Sequence, residues 1–134
     1  MCAAKLVPEA SIRQQYEYID LIAAQNREKT RLSGRNPRAV AHTFGCQQNF
    51  ADTERIAGML SEMGYDITDD VNDADVILYN TCAVREHAES RALGNVGALT
   101  HVKKARPETV IALCGCMVQQ EQIAEKIKKS YPHV

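Results

Sequence analysis

The chain has 134 residues, a length typical of one globular domain, and 45% of them are hydrophobic while 25% are charged. It contains no apolar run long enough to span a bilayer, so we expect no contact with a membrane. The first residues lack the apolar core of a secretory signal, and we therefore predict a cytoplasmic protein. In that reducing compartment the five cysteines are expected to serve metal binding or redox chemistry rather than structural disulfides.

The net charge of −1 conceals a strongly acidic middle of the chain. Residues 37–99 carry a net charge of −6, whereas residues 1–36 carry +2 and residues 100–134 carry +3. Trp is absent, and there are only two Phe. Because RNA-binding modules usually present a basic face with stacking aromatic rings, we expect this chain alone to bind RNA weakly.

The first predicted element is an amphipathic helix that covers residues 8–31. Its apolar positions recur at helical spacing, at Ile12, Tyr16, Ile19, Ile22 and Ala23. Gly34 and Pro37 follow and predict the end of the helix. We treat residues 1–36 as an N-terminal helical extension, which either packs on the core or binds a partner, and residues 37–134 as a separate α/β domain.

After Pro37, short apolar runs alternate with longer amphipathic stretches, an order typical of βαβ units. The predicted strands are Arg38–Phe44, 74–79 and 109–113, with a further short strand at 65–68. Two of the predicted helices cover residues 85–104 and 118–129. A third contains the helically spaced Ile56, Met59, Leu60 and Met63. Asn49 or Asp52 is predicted to cap this third helix, and Gly64 to end it. The pattern predicts an α/β fold with an open, mainly parallel sheet flanked by helices.

Three cysteines, Cys46, Cys82 and Cys116, each closely follow a predicted strand. Because the carboxyl ends of parallel strands lie at one edge of a sheet, we expect these three thiols to converge. Soft thiolates select zinc or iron–sulfur clusters. The ligands are 36 and 34 positions apart and lack the paired Cys-x-x-Cys of zinc ribbons, which favours a cluster. Three ligands on a four-iron cluster would leave one iron open.

Residues around the three cysteines are expected to serve the cluster. Gly45 and Gly115 precede two of the ligands and would let the backbone turn sharply close to an inorganic sulfide. The side-chain amides of Asn49 and Asn80 are expected to donate hydrogen bonds to cluster sulfurs.

The remaining cysteines and the four histidines are predicted not to be ligands. Cys2 is read as an incidental thiol in the N-terminal segment, and Cys114 as a core or near-site thiol. His87 is the best placed of the histidines, but a helix-surface role suits it better. The others are His42, His101 and His133.

Two other classes of function fit the same residues. The chain could be a thiol carrier in which Cys46, Cys82 or Cys116 accepts a persulfide without any cluster. It could also be a non-catalytic interaction domain that a metal such as zinc stabilises. Iron and sulfide content separates these hypotheses from the cluster.

The motifs around the cysteines resemble those of the methylthiotransferase family. Residues 43–49 (Thr-Phe-Gly-Cys-Gln-Gln-Asn) with 52–54 (Asp-Thr-Glu) are similar to its first signature. Residues 80–86 (Asn-Thr-Cys-Ala-Val-Arg-Glu) are similar to the second, and residues 115–119 (Gly-Cys-Met-Val-Gln) to the third. The residues after the first two cysteines resemble the MiaB type, which acts on tRNA, rather than the relative that modifies a ribosomal protein.

This resemblance implies a flavodoxin-like fold and an auxiliary 4Fe-4S cluster on Cys46, Cys82 and Cys116 with one open iron. Full-length members add a methylthio group to C2 of N6-isopentenyladenosine beside the tRNA anticodon. They use S-adenosylmethionine and a second 4Fe-4S cluster in a radical SAM domain, together with a carboxy-terminal RNA-binding domain.

The chain lacks the Cys-x-x-x-Cys-x-x-Cys motif of the radical SAM domain. We therefore expect a monomeric amino-terminal domain that is inactive alone, works with the radical SAM domain in cis and meets tRNA through the full-length protein.

Overall fold

The computed structural model describes residues 7–45, 47–82 and 86–134, and the elements below belong to this part of the chain. The helices are α1 (Glu9–Ser33), α2 (Gln47–Glu62), α3 (Glu86–Ala98), α4 (Thr100–Ala105) and α5 (Glu121–Ser130). The strands are β1 (Arg38–Phe44), β2 (Asp66–Ile67), β3 (Val76–Thr81) and β4 (Val110–Gly115). Single 3-10 turns, Val71–Asp73 and Met117–Gln119, precede β3 and follow β4.

The four strands form one sheet in the order β2-β1-β3-β4, and every neighbouring pair is parallel. This is the order of the first four strands of flavodoxin-like folds. The register aligns Phe44 of β1, Thr81 of β3 and Gly115 of β4 on a single row across the sheet. The predicted α/β class, the parallel sheet and the additional N-terminal helix are confirmed.

The main hydrophobic core lies on one face of the sheet. Val40, Ile77 and Ile111 occupy one row of the three long strands, and all three are buried. Helices α3, α4 and α5 cover them with a further set of buried side chains, Ala92, Leu93, Val96, Leu99, Val102, Ile123 and Ile127. Burial of this apolar surface is the dominant stabilising term of the fold.

Helix α2 packs on the opposite face of the sheet, where the row next to the strand ends is polar. This row consists of Thr43, Asn80 and Cys114. Successive side chains of a strand point to opposite faces, so these residues face away from the main core and toward α2. The Thr43 hydroxyl donates a 2.7 Å hydrogen bond to the Thr53 hydroxyl of α2, which fixes the helix against β1.

The helix predicted over residues 85–104 is wrong as a single helix, because the structure divides it into α3 and α4. At the junction the Thr100 hydroxyl donates a 2.8 Å hydrogen bond to the Gly97 carbonyl. A threonine hydroxyl competes in this way with backbone hydrogen bonds, and glycine has low helix propensity. The last predicted helix likewise begins at Glu121 rather than at residue 118, because a 3-10 turn occupies Met117–Gln119.

Strands β3 and β4 end two residues later than predicted. The prediction ended each strand with its apolar run, whereas pairing with the neighbouring strands continues through Thr81 and Gly115. Their backbone groups find partners in the sheet although the side chains are polar or absent. As a result, Cys82 and Cys116 follow their strands directly. The short strand predicted near residue 66 is confirmed as β2.

Helix α1 contacts α2 through its carboxyl-terminal half. The Asn26 side chain is 1% exposed, and its Nδ2 donates a 2.8 Å hydrogen bond to the Met63 carbonyl at the end of α2. Ala23 is buried as well, whereas Ile12 and Tyr16 in the amino-terminal half are exposed. Among the described helices, α1 included, none is long and apolar enough to cross a bilayer.

The amino-terminal ends of the strands are held by ion pairs. Asp73 pairs with Arg35 at 3.1 Å and also with Arg38, and Asp75 pairs with Arg106 at 2.6 Å. The hydrogen bond from Arg35, assisted by the nearby charge of Arg38, holds the pKa of Asp73 below its ordinary value. These charges lie at the end of the sheet opposite the cysteines, and they tie β1 to the segment before β3.

Candidate metal centre

The carboxyl ends of β1, β3 and β4 lie on one row, and the residues that follow are Gly45, Cys82 and Cys116. We call these three strand ends and the residues that follow them the cysteine edge. The Cys82 backbone N–H donates a 2.9 Å hydrogen bond to the Phe44 carbonyl, which continues the pairing of β3 with β1 by one residue. Two of the three predicted ligands are thus brought to neighbouring strand ends.

The third predicted ligand, Cys46, lies outside the described residues, and so do Cys2 and residues 83–85. Its position in the chain is between Gly45, at the end of β1, and Gln47, the first residue of α2. The described residues alone contain no group of three or more His, Cys, Asp or Glu side chains placed to hold a metal ion. The three-ligand set therefore stays a prediction that includes Cys46.

Cys82 and Cys116 differ in their exposure to solvent. The Cys82 side chain is 2% exposed, whereas Cys116 is exposed at the start of the 3-10 turn that follows β4. The buried thiol can act as a fixed anchor, and the exposed thiol stands where an incoming ion or reagent meets it first.

Gly45 and Gly115 are required by close contacts within the protein. A Cβ on Gly45 would lie 2.5 Å from the Cys82 Cβ, and one on Gly115 would lie 2.1 Å from the Thr81 carbonyl oxygen. Gly115 also has φ +99°, a conformation that side chains strongly disfavour. The close neighbours of both glycines are protein atoms, namely those of Cys82 and Asn49 for Gly45 and of Thr81 and Asn80 for Gly115. The predicted approach to an inorganic sulfide stays a prediction.

Below the cysteine edge lies a buried polar network made by Thr43, Asn49, Thr53, Asn80 and Thr81. Asn80 Nδ2 donates to the Asn49 carbonyl at 3.0 Å and to the Thr53 hydroxyl at 3.2 Å. Asn49 Nδ2 donates to the Thr81 carbonyl at 3.3 Å. The Thr81 hydroxyl donates to the Cys114 carbonyl at 2.7 Å, which joins β3 to β4.

The polar network gives Asn80 a role that the sequence did not predict, because its Nδ2 donates to two acceptors on α2. The expected hydrogen bond from Asn80 to a cluster sulfur stays a prediction. Sequence reasoning also missed Thr53 and Thr81 as members of the site. The spacing of Asn49 and Thr53, four residues apart on α2, is the signal that places both on one helix face.

Cys114 lies on the opposite face of β4 from the main core, on the row of Asn80. Burial raises the pKa of its thiol, and the negative charge of Asp52 on α2 raises this pKa further. A raised pKa makes this thiol less reactive as a nucleophile. That Cys114 is a core or near-site thiol and not a ligand stays a prediction.

The described histidine side chains have other partners. The His42 ring lies 4.7 Å from the Phe44 ring and 5.9 Å from the Tyr79 ring in edge-on geometry. His133 Nε2 lies 2.7 Å from the Val96 carbonyl, and His101 contacts the Ala98 carbonyl. The side chain of His87 lies outside the described part of the chain. The remaining histidines thus make packing and helix contacts, and that none of them is a metal ligand stays a prediction.

Comparison with known proteins identifies relatives of the whole described domain. A family model described as "Uncharacterized protein family UPF0004" matches residues 38–134. A protein of Acetivibrio thermocellus is 49% identical over 127 residues, which are 95% of this chain and 26% of the relative. A protein of Clostridioides difficile is 44% identical over 128 residues, 96% of this chain and 27% of the relative.

A third relative, from Staphylococcus saprophyticus, is 51% identical over 107 residues, which are 80% of this chain and 21% of the relative. All three relatives bear the name tRNA-2-methylthio-N(6)-dimethylallyladenosine synthase. The chain therefore spans about a quarter of the length of the curated proteins that it matches.

Proposed function

The chain belongs to the UPF0004 family, and from this premise we propose that it is the auxiliary-cluster domain of a tRNA methylthiotransferase. Cys46, Cys82 and Cys116 would hold a 4Fe-4S cluster. The relatives named as synthases of 2-methylthio-N(6)-dimethylallyladenosine in tRNA support the reaction class. In full length the protein would add a methylthio group to C2 of N6-isopentenyladenosine next to the anticodon.

The arrangement of the strand ends is the observation that carries the proposal. Cys82 and Cys116 follow directly on two neighbouring strands, and Gly45, which precedes Cys46, follows on the third. Because each ligand comes from a separate loop, the spacing suits a cluster better than a zinc knuckle. The cysteine edge is also where flavodoxin-like folds place their ligands.

When bound, a three-cysteine 4Fe-4S cluster supplies one iron without a protein ligand, where an exogenous sulfur atom can bind. The chain's own residues would fix the position of the group. Cys82 would be its buried ligand and Cys116 its exposed ligand, and Gly45 leaves room for the Cys82 side chain. Cys114 lies on the α2 side of β4, before the strand end, and is not one of the proposed ligands.

The rest of the reaction is assigned to the full-length protein. S-adenosylmethionine and a second 4Fe-4S cluster would bind in the radical SAM domain in cis, and the tRNA would be bound largely outside this domain. The acidic middle of the chain, with its net charge of −6 over residues 37–99, supports weak RNA binding by this domain alone. We place the protein in the cytoplasm as a monomer, and we expect the 134-residue chain to be inactive by itself.

Anaerobic reconstitution with iron and sulfide tests the proposal. We expect wild type to bind roughly four irons per chain and to gain a broad visible absorption band. Cys46→Ala, Cys82→Ala and Cys116→Ala should each abolish stable binding, whereas the controls Cys2→Ala and Cys114→Ala should retain it. A colourless wild type that binds no iron under these conditions would contradict the cluster.

Exposure of Cys116 favours one competing function, a carrier that holds a persulfide on this thiol. Such a carrier would accept a sulfane sulfur from a persulfide donor, whose own thiol leaves, in the absence of iron. Cys116→Ala alone would abolish this transfer. Uptake of one zinc ion without colour would instead indicate the interaction domain. Measuring iron, zinc and sulfane sulfur on the same sample separates the three functions.

A further inference from the structure

We propose that Asn80 is a positioning residue that joins the loops of the cysteine edge into one frame before any cluster binds. This inference rests on the proposed function and extends it from the ligands to the residue that sets their spacing. Asn80 lies on the central strand β3, two residues before Cys82, and is 2% exposed. It is therefore placed between the loops that carry the other two ligands.

On one side, Asn80 holds the first turns of α2. Its Nδ2 donates to the Asn49 carbonyl at 3.0 Å and to the Thr53 hydroxyl at 3.2 Å. Because α2 begins at Gln47, directly after Cys46, these two hydrogen bonds fix the helix start that follows the first ligand. Thr53 in turn donates to the Asn49 carbonyl at 2.9 Å, so the two acceptors are themselves joined.

On the other side, Asn80 touches the end of β4. A Cβ on Gly115 would lie 2.6 Å from the Asn80 Oδ1, so the glycine backbone lies directly against this amide. Gly115 immediately precedes Cys116. A single side chain thus contacts the α2 start next to Cys46 and the strand end next to Cys116, while its own strand leads into Cys82.

Two further hydrogen bonds join α2 to β3 and β3 to β4. Asn49 Nδ2 donates back to the Thr81 carbonyl at 3.3 Å, and the Thr81 hydroxyl donates to the Cys114 carbonyl at 2.7 Å. A buried polar network that satisfies its members in this way rigidifies the elements that it joins. Loss of its central donor leaves the Asn49 carbonyl and Thr53 hydroxyl with fewer partners in a buried site.

The main hydrophobic core lies on the other face of the sheet, so the polar network contributes chiefly to the geometry of the cysteine edge. Groups that orient metal ligands without binding the metal typically change metal affinity by about 10- to 100-fold when they are removed. An effect of this size on the cluster, with the fold retained, is the signature of a positioning residue.

The test is Asn80→Asp, which keeps the size of the side chain but replaces the Nδ2 donor with an oxygen. Asn72→Asp is the matched control, because it makes the same chemical change on an exposed residue before the other end of β3. Both variants are reconstituted anaerobically beside wild type. The readouts are the rate of iron release to a chelator and the midpoint potential of the bound cluster.

We expect Asn80→Asp to release iron about 10- to 100-fold faster than wild type and to shift the midpoint potential, and Asn72→Asp to change neither. Circular dichroism at the same temperature shows whether each apoprotein is folded. Should Asn80→Asp fail to fold, Thr53→Val removes one acceptor of the same amide at lower cost and should also speed iron release. The inference is overturned if Asn80→Asp or Thr53→Val releases iron at the wild-type rate and has the wild-type midpoint potential.

Hydrogen exchange of the apoprotein tests the frame without iron. Amides of residues 114–119 should exchange faster in folded Asn80→Asp than in wild type and in Asn72→Asp, and equal exchange would count against the frame. A wild type that binds no cluster would therefore refute the proposed function, while this measurement still decides whether Asn80 holds the loops.

Discussion

Gly115 has little freedom to change. Its φ of +99° and the Thr81 carbonyl oxygen, 2.1 Å from where its Cβ would be, both oppose a side chain. Gly58, on α2, has no atom within 4 Å of the corresponding position. We expect Gly115→Ala to lower the free energy of unfolding by about 2–4 kcal/mol. Gly58→Ala should raise it by about 0.5–1 kcal/mol, because alanine favours a helix.

Urea unfolding of the two variants beside wild type measures both changes. If Gly115→Ala is as stable as wild type, the backbone at the end of β4 can adjust to a side chain without loss of stability. In that case the close contact between β4 and the Thr81 carbonyl would not be needed for the fold.

The described cysteines should also differ in reactivity. Cys116 is exposed, Cys82 is buried, and burial with the charge of Asp52 raises the pKa of Cys114. Because the thiolate is the reactive form, we expect iodoacetamide at pH 8 to modify Cys116 at least about tenfold faster than Cys82 or Cys114. Peptide mapping by mass spectrometry at short times measures each site. If the three cysteines of the native apoprotein are modified at equal rates, they do not differ in exposure as described. The control is the unfolded protein in urea, in which the three modification rates should be equal.

At the scale of elements, one partly buried hydrogen bond joins α1 to the end of α2. Asn26 Nδ2 donates to the Met63 carbonyl, and removal of the donor leaves that carbonyl without this partner. We expect Asn26→Ala to lower the free energy of unfolding by about 1–3 kcal/mol. Gln25→Ala, on an exposed position of the same helix, should have little effect. If urea unfolding gives the same midpoint for both variants, the contact does not anchor α1.

The sequence allowed good prediction of elements wherever apolar periodicity was strong. The spacing of their apolar residues located helix α1, helix α2 and strand β1. The predicted cap of α2 is wrong, because the helix begins at Gln47 and both Asn49 and Asp52 lie inside it. Prediction was poorer where polar residues are buried, because apolarity was the criterion. Asn80 and Thr81 continue β3 through backbone pairing that no local pattern reveals. The break at Thr100 depends on a side-chain hydrogen bond, and this competes with a helix signal that is otherwise continuous.

The sequence allowed prediction of where two candidate ligands lie, but not of the residues that surround them. Three cysteines after three strands suffice to predict convergence, and the structure places Cys82 and Cys116 as expected. The role of Asn80 could not be predicted, since its partners Asn49 and Thr53 are far away in the chain. Long-range side-chain partners require the register of the sheet, which only the fold supplies.

For the whole molecule, stability in acid should depend on the ion pairs at the amino-terminal ends of the strands. The hydrogen bond from Arg35 lowers the pKa of Asp73 below its ordinary value of 3.8. Because the pKa is lower in the folded state, the ionised carboxylate stabilises the fold at pH values above 3.8. This contribution is lost as the pH falls through the folded-state pKa. Asp73→Asn should therefore reduce the loss of thermal stability on acidification.

Thermal unfolding from pH 6 to pH 3 checks this expectation. The melting temperature of wild type should fall more steeply than that of Asp73→Asn, while Asp69→Asn, on an exposed residue nearby, should follow wild type. Parallel curves for wild type and Asp73→Asn would show that these surface ion pairs contribute no measurable stability.

The parallel order of the sheet also determines when during folding the strands pair. Residues that are neighbours at the cysteine edge are distant in the chain, and each strand pairing waits for a crossover to close. Non-local pairing of this kind forms slowly, after the helices. During synthesis Cys82 and Cys116 leave the ribosome well apart, and they become neighbours only when β4 joins β3. An inorganic centre that needs both of these thiols can therefore be completed only once β4 has joined β3.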